Sequence, residues 1–223
     1  MRRDVVLIIG FLGAFVALTA ALAAGTWLID LDLAVRAWSE QRRPPAADIT
    51  ARWFNLLGQG SPLLGLSLLA AAWLTWRTNS LRPLLHVLAA AVLVVPTVLL
   101  IKYVTERGAP SSPLPPEQVV ALMGPLPAGE YAAGYPSGHV VNTVVWYGVL
   151  LLLLTGLLRA YGRGEPPFAV RVVIRVAPVV IVIVASTYLS FHWLTDGLAG
   201  LALGLAIDRA LHLIRRHALG WQP

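Results

Sequence analysis

The sequence predicts an all-α integral membrane protein, a bundle of six transmembrane helices in one membrane domain spanning residues 1–223. Three observations predict it. First, 57% of the 223 residues are hydrophobic and only 13% are charged, with a mean hydropathy of +0.72. A soluble domain carries about 25% charged residues, and a globule of this length has too small a core to hide so much apolar surface. Second, the apolar residues fall into six runs near the length of about 20 that crosses a bilayer core. Third, the basic residues collect on one side of the resulting topology.

The six runs are residues 5–29, 54–76, 83–101, 140–158, 172–189 and 194–214. The first follows MRRD and contains ALAAG, the flanks of a secretory signal. Its apolar stretch exceeds the usual h-region of about 7–15 residues, so it is expected to stay as a helix. The second is the weakest, because GQGSP (Gly58–Pro62) lies near its start. Pro96 and Pro178 fall inside spans, where neighbouring helices let a proline be tolerated. With the N-terminus inside, eleven of the 17 basic residues, Arg2, Arg3, Arg159, Arg215 and Arg216 among them, lie at cytoplasmic ends. Six, namely Arg36, Arg42, Arg43, Arg52, Lys102 and Arg107, lie outside. Both termini are therefore expected in the cytoplasm of a cell membrane. Residues 30–53 are expected along the outer interface, and 103–139 form a long outer loop rich in Pro and Gly. Loops of that length are usually functional or disordered.

Composition also excludes function classes. The chain has no cysteine, so disulfides, thiolate metal sites and cysteine nucleophiles are out. Net charge is +6, but no polar segment interleaves basic and aromatic residues, which argues against nucleic acid. The arginines instead sit at the edges of apolar runs, where they meet membrane lipid headgroups. Lys102 is the single lysine among 17 basic residues, a hint that its position wants an ammonium.

Polar residues converge at the outer ends of the third to sixth spans. In FHWLTDG (Phe191–Gly197), His192 and Asp196 are four apart and share a helix face. A carboxylate on one ring nitrogen would fix the tautomer and free the other nitrogen to attack; the alternative is an interfacial pair without chemistry. In PSGH (Pro136–His139), a tight turn opens the fourth span. Either its free N–H groups and the Ser137 hydroxyl cradle a phosphate beside the acid His139, or Ser137 caps the helix. Lys102 and Arg107 either neutralise phosphate oxygens or snorkel to the interface. Together they are the parts of a histidine-nucleophile phosphatase. A metal held by His139, His192 and Asp196 would be repelled by the two cations, so no metal and no cofactor is expected.

These residues resemble the type-2 phosphatidic acid phosphatase family of membrane lipid phosphatases, over roughly the second to sixth spans. Its signatures are Lys-x6-Arg-Pro, Pro-Ser-Gly-His and Ser-Arg-x5-His-x3-Asp. The second matches fully at Pro136, Ser137, Gly138 and His139; the third at His192 and Asp196; the first at Lys102 and Pro110. The resemblance implies that His192 forms a phosphohistidine, Asp196 orients it, and His139 protonates the leaving group and then activates water. Lys102, Ser137 and the Gly138 amide would hold the phosphate, without a metal. Two family arginines are absent: Ala109 stands in the first signature and Ala185-Ser186 in the third. Arg107 is expected to substitute in part, and Ser186 to contribute a hydrogen bond. The expected function is hydrolysis of a lipid phosphate or diphosphate, of the polyprenyl diphosphate, phosphatidic acid or phosphatidylglycerol phosphate class. A phosphotransferase using the same histidine, or a non-catalytic lipid-binding relative, are the alternatives.

Overall fold

The computed structural model describes residues 2–124, 126 and 134–221. The part of the expected outer loop at 125 and 127–133 lies outside the described residues. Nine α-helices are found among those described: α1 (Arg2–Ala23), α2 (Trp27–Gln41), α3 (Pro45–Asn55), α4 (Gly60–Thr78), α5 (Arg82–Thr105), α6 (Pro116–Val119), α7 (Gly138–Ala160), α8 (Phe168–Tyr188) and α9 (Leu194–Leu213). Five are long and apolar enough to cross a membrane, six if α3 with its 3-10 extension (Leu56–Gly58) and α4 count as one span bent by 45°. Helices satisfy their own backbone groups, which is what a chain in lipid requires.

The helix ends obey local chemistry. Proline occupies the first turn of α3, α5 and α6, where its missing N–H costs nothing. Ser137 caps α7. Asn79 closes α4 in the left-handed region at φ 50°, its N–H bonding Thr75 O. Helices α5 and α8 run unbroken past Pro96 and Pro178, as expected.

Helix α7 is the hub, packed on α4, α5, α8 and α9, while α1 lies against α9. Small residues let α7 and α9 approach closely. A Cβ on Gly200 would come 2.6 Å from Ser137 O, and one on Gly204 would come 2.9 Å from Val144 Cβ. The core among α4, α5, α7 and α9 is built from Ala71, Val87, Ala90, Val145, Trp146 and Leu153. The outer surface stays apolar, with Val6, Leu69, Trp76, Val92 and Phe168 exposed. So broad an apolar exterior belongs in lipid.

Two expectations need correction. The first run does not continue to residue 29. It ends at Ala23, and α2 starts at Trp27 after a turn at Gly25. The apolar AGTWLI sequence hides that break. Residues 30–53 are also more than an interfacial strip. They form most of α2 and α3, which pack on α8, and α2 drives Asp32 into the protein interior.

Candidate active site

A cleft of about 550 Å³ opens where the end of α5, the start of α7 and the residues just before α9 meet the start of α4. His139, His192, Lys102 and Gly138 all line it. The two imidazoles stand edge to face with centroids 5.8 Å apart. His139 lies in the first turn of α7, where Gly138 presents an N–H at the helix N-terminus. Lys102 ends α5, its ammonium 3.4 Å from the Gly134 carbonyl.

The same carbonyl sets the tautomer of His192. Its Nδ1 lies 3.0 Å from Gly134 O. A carbonyl oxygen only accepts, so Nδ1 carries the proton and donates it. In the neutral ring Nε2 then holds the free lone pair. Asp196 was expected to make this bond, but its Oδ2 is 3.7 Å from Nδ1. The oxygen instead accepts the Trp193 N–H at 2.9 Å, closing the first turn of α9. Asp196 stands behind the histidine as a charge, not as its first hydrogen-bond partner.

Arg107 is not on the cleft wall. The side chain is fully buried and each of its three nitrogens has a partner. Nη1 donates to Asp196 Oδ1 at 2.6 Å and to Thr195 Oγ1 at 2.8 Å; Nη2 donates to Asp32 Oδ2 at 2.7 Å; Nε donates to Val120 O at 2.8 Å. The indole of Trp193 covers the guanidinium, 5.5 Å from carbon to centroid. Burial opposes the Arg107 charge, but Asp196 and Asp32 outweigh it and hold its pKa above the ordinary arginine value. Arg107 was expected to contact phosphate; in the structure all three of its nitrogens bond buried partners, and it braces Asp196 instead.

Neither Ser137 nor Ser186 is among the described residues that line the cleft. Ser137 is buried and its Oγ accepts the Val140 N–H at 3.4 Å, the capping alternative. Its own N–H donates to Asp196 O at 2.9 Å, tying the turn before α7 to α9. Ser186 is buried and donates to Ile183 O at 3.3 Å. Ala109, by contrast, lines the cleft.

Several residues escaped the sequence reading. Asp32 accepts from the Thr195 N–H at 3.0 Å, from Thr195 Oγ1 at 2.5 Å and from Arg107. Its signal was an acid one helical turn after Ile29, which packs beside Trp193. The GQGSP stretch had been read only as a weakness in a span. It wraps onto the site, with Gln59, Gly60 and Ser61 lining the cleft. A Cβ on Gly58 would come 3.0 Å from His139 Cβ, and one on Gly60 would come 2.6 Å from Asn142 Nδ2. The glycines there allow backbone to lie directly on α7. Among the described residues no group of three His, Asp or Glu is arranged to hold a metal ion.

Comparison with known proteins gives a consistent picture. A family model described as the PAP2 superfamily matches residues 80–218. Among solved structures, the chain is similar to one titled as the crystal structure of the first transmembrane PAP2 type phosphatidylglycerolphosphate phosphatase from Bacillus subtilis. The two superpose with a TM-score of 0.68 over 95% of each chain, at 24% sequence identity, a likeness of fold. No curated protein matches the chain.

Proposed function

The chain belongs to the PAP2 superfamily, and from that premise we propose that it is a membrane phosphatase that hydrolyses a lipid phosphate or diphosphate through a phosphohistidine. The observation that carries the reading is the pairing of His192 and His139 across one cleft, with the His192 Nδ1 proton tied to Gly134 O.

The reaction follows in two steps. Nε2 of His192 attacks phosphorus; the P–N bond forms as the P–O bond to the lipid breaks. His139 in its protonated form gives its proton to the departing oxygen. Lys102 and the Gly138 N–H stabilise the phosphoryl oxygens as charge builds. Water then enters. His139 takes its proton, the new P–O bond forms, the P–N bond breaks, and inorganic phosphate leaves with His192 restored. The Asp196 carboxylate, 3.7 Å from Nδ1, stabilises the imidazolium character that His192 gains during attack. Arg107 acts through Asp196 and is a positioning residue.

The absent arginines bear on the substrate. With Ala109 on the wall, Lys102 is the one lysine or arginine lining the cleft among the described residues, so a headgroup that supplies contacts of its own suits it better than a bare monoester. The phosphatidylglycerol phosphate and polyprenyl diphosphate classes lead on this ground. We place the cleft on the extracytoplasmic side and both termini in the cytoplasm, from the eleven-to-six distribution of basic residues.

The test is phosphate release by purified protein in detergent from undecaprenyl diphosphate, phosphatidic acid, phosphatidylglycerol phosphate and a soluble monoester, with and without chelator. Release from one lipid, indifferent to chelator and abolished by His192→Ala, is expected. Release that needs a divalent metal, or that survives His192→Ala, would overturn the mechanism. No release from any lipid would overturn the activity.

A further inference from the structure

A second cleft, of about 560 Å³, lies at the opposite end of the bundle, on the order of 24 Å along α5 from Lys102 at 1.5 Å per residue. Its walls carry six arginines, Arg159, Arg171, Arg175, Arg209, Arg215 and Arg216, against two carboxylates, Glu165 and Asp208. Each carboxylate is shared by two guanidiniums. Glu165 takes Arg159 and Arg171, the latter at 2.9 Å. Asp208 takes Arg175 in a two-point fork at 2.9 and 2.8 Å, and Arg209 at 2.8 Å. Guanidiniums thus outnumber carboxylates on the described walls of this cleft.

This is a built arrangement and not a fan of snorkelling side chains. Gly148, in the middle of α7, makes room for it: a Cβ there would come 1.9 Å from Arg175 Nη1 and 2.6 Å from Asp208 Oδ1. His86 shares this cleft. It lines the cleft and is only 3% exposed, yet its Nδ1 has no hydrogen-bond partner among the described residues. One face of the ring is closed by Trp221, with centroids 5.5 Å apart. That nitrogen is enclosed by protein, so the wall open to a ligand is the guanidinium one, which suits an anion whose oxygens can accept from several donors at once.

We infer that this second cleft binds a phosphate-bearing anion, held by the arginines, separately from the histidine cleft. Basic pockets between transmembrane helices suit acidic lipid headgroups, and the same chemistry would hold free phosphate. The inference does not depend on the proposed catalytic activity.

The test is calorimetric titration of the purified protein in detergent with three probes: dihexanoyl phosphatidylglycerol, dihexanoyl phosphatidylcholine and inorganic phosphate. Three proteins are compared: the wild type, Arg171→Gln/Arg216→Gln, and Lys102→Ala. Both replaced arginines reach solvent, and an unchanged melting temperature serves as the folding control; Arg216→Gln alone replaces the double variant if that fails. Saturable binding of phosphatidylglycerol at least tenfold tighter than phosphatidylcholine is expected, weakened at least tenfold in the arginine variant and unchanged in Lys102→Ala. The same pattern with phosphate alone would support the site and name the free anion as its ligand. Equal binding of anionic and zwitterionic probes would overturn the inference. So would affinity unaltered in the arginine variant, or lost only in Lys102→Ala.

Discussion

Arg107 Nη1 lies 2.6 Å from Asp196 Oδ1, and neither side chain is exposed. The acid behind His192, the proposed nucleophile, is thus held by a buried cation, itself held by Asp32 at 2.7 Å. The three groups share the protein interior as two anions and one cation. Thr195 and the Val120 carbonyl satisfy further hydrogen-bonding capacity. Removing one partner of such a set strands the others in a medium that solvates them poorly. The network joins α2, the segment after α5, and the first turn of α9, so it fixes where α9 begins and hence where His192 points.

Arg107→Ala is expected to destabilise the protein by about 3–5 kcal/mol, the scale for breaking a buried ion pair, read as a lowered melting temperature in detergent. Asp32→Asn is the gentler probe. It keeps an oxygen for Thr195 but removes the charge facing Arg107. A lowered kcat with KM unchanged is expected, because Asp32 touches no substrate. A raised KM at constant kcat would instead put this network in substrate binding.

Ala109→Arg should restore a cation to the cleft wall, since Ala109 lines the cleft and is only half-buried. A charge-assisted hydrogen bond contributes about 1.5–3 kcal/mol, so kcat/KM for a simple phosphate monoester should rise about ten- to hundredfold. Little change is expected for a substrate whose headgroup already fills that space. The ratio between the two substrates, measured in one preparation, is the readout.

The glycines of the 58–62 stretch are the next target. Gly58→Ala would place a methyl 2.9 Å from Val182 Cγ1 and 3.0 Å from His139 Cβ. Contacts that close force neighbours to shift, at a cost of about 1–3 kcal/mol. The neighbour here is the proposed acid, so activity should fall by more than the loss of folded protein explains. Comparing kcat per folded molecule with the melting temperature checks this.

The spans were legible because long apolar runs dominate any local preference. The ends of α5, α7, α8 and α9 fall within a few residues of their sequence-predicted limits. Lys102, His139 and His192 were legible because short motifs encode their spacing, and the fold brings all three to one cleft. Arg107 was misjudged because its partner Asp32 lies 75 residues away in sequence. Nothing local distinguishes a bracing arginine from a phosphate-binding one. The GQGSP stretch failed for a related reason. Its backbone approach to His139 and Asn142 is a tertiary contact, while its Gly and Pro content reads locally as helix breakage.

The chain lacks cysteine, so a single introduced thiol reports its own position without background. Ser111 lines the histidine cleft, and Ser80 lies in the turn between α4 and α5 at the other end of the bundle. With the basic residues distributed eleven to six, the positive-inside rule puts Ser80 in the cytoplasm and Ser111 outside. Ser111→Cys in intact cells should react with a membrane-impermeant maleimide, and Ser80→Cys should react only after permeabilisation. The cleft would then receive lipid substrate from the outer leaflet, and the arginine-lined cleft would face the inner one. The reverse labelling pattern would exchange those assignments, putting phosphate release in the cytoplasm. The chemistry at His192 would be untouched, because its geometry is set by Gly134, Asp196 and Arg107 within the protein and not by the side of the membrane it faces.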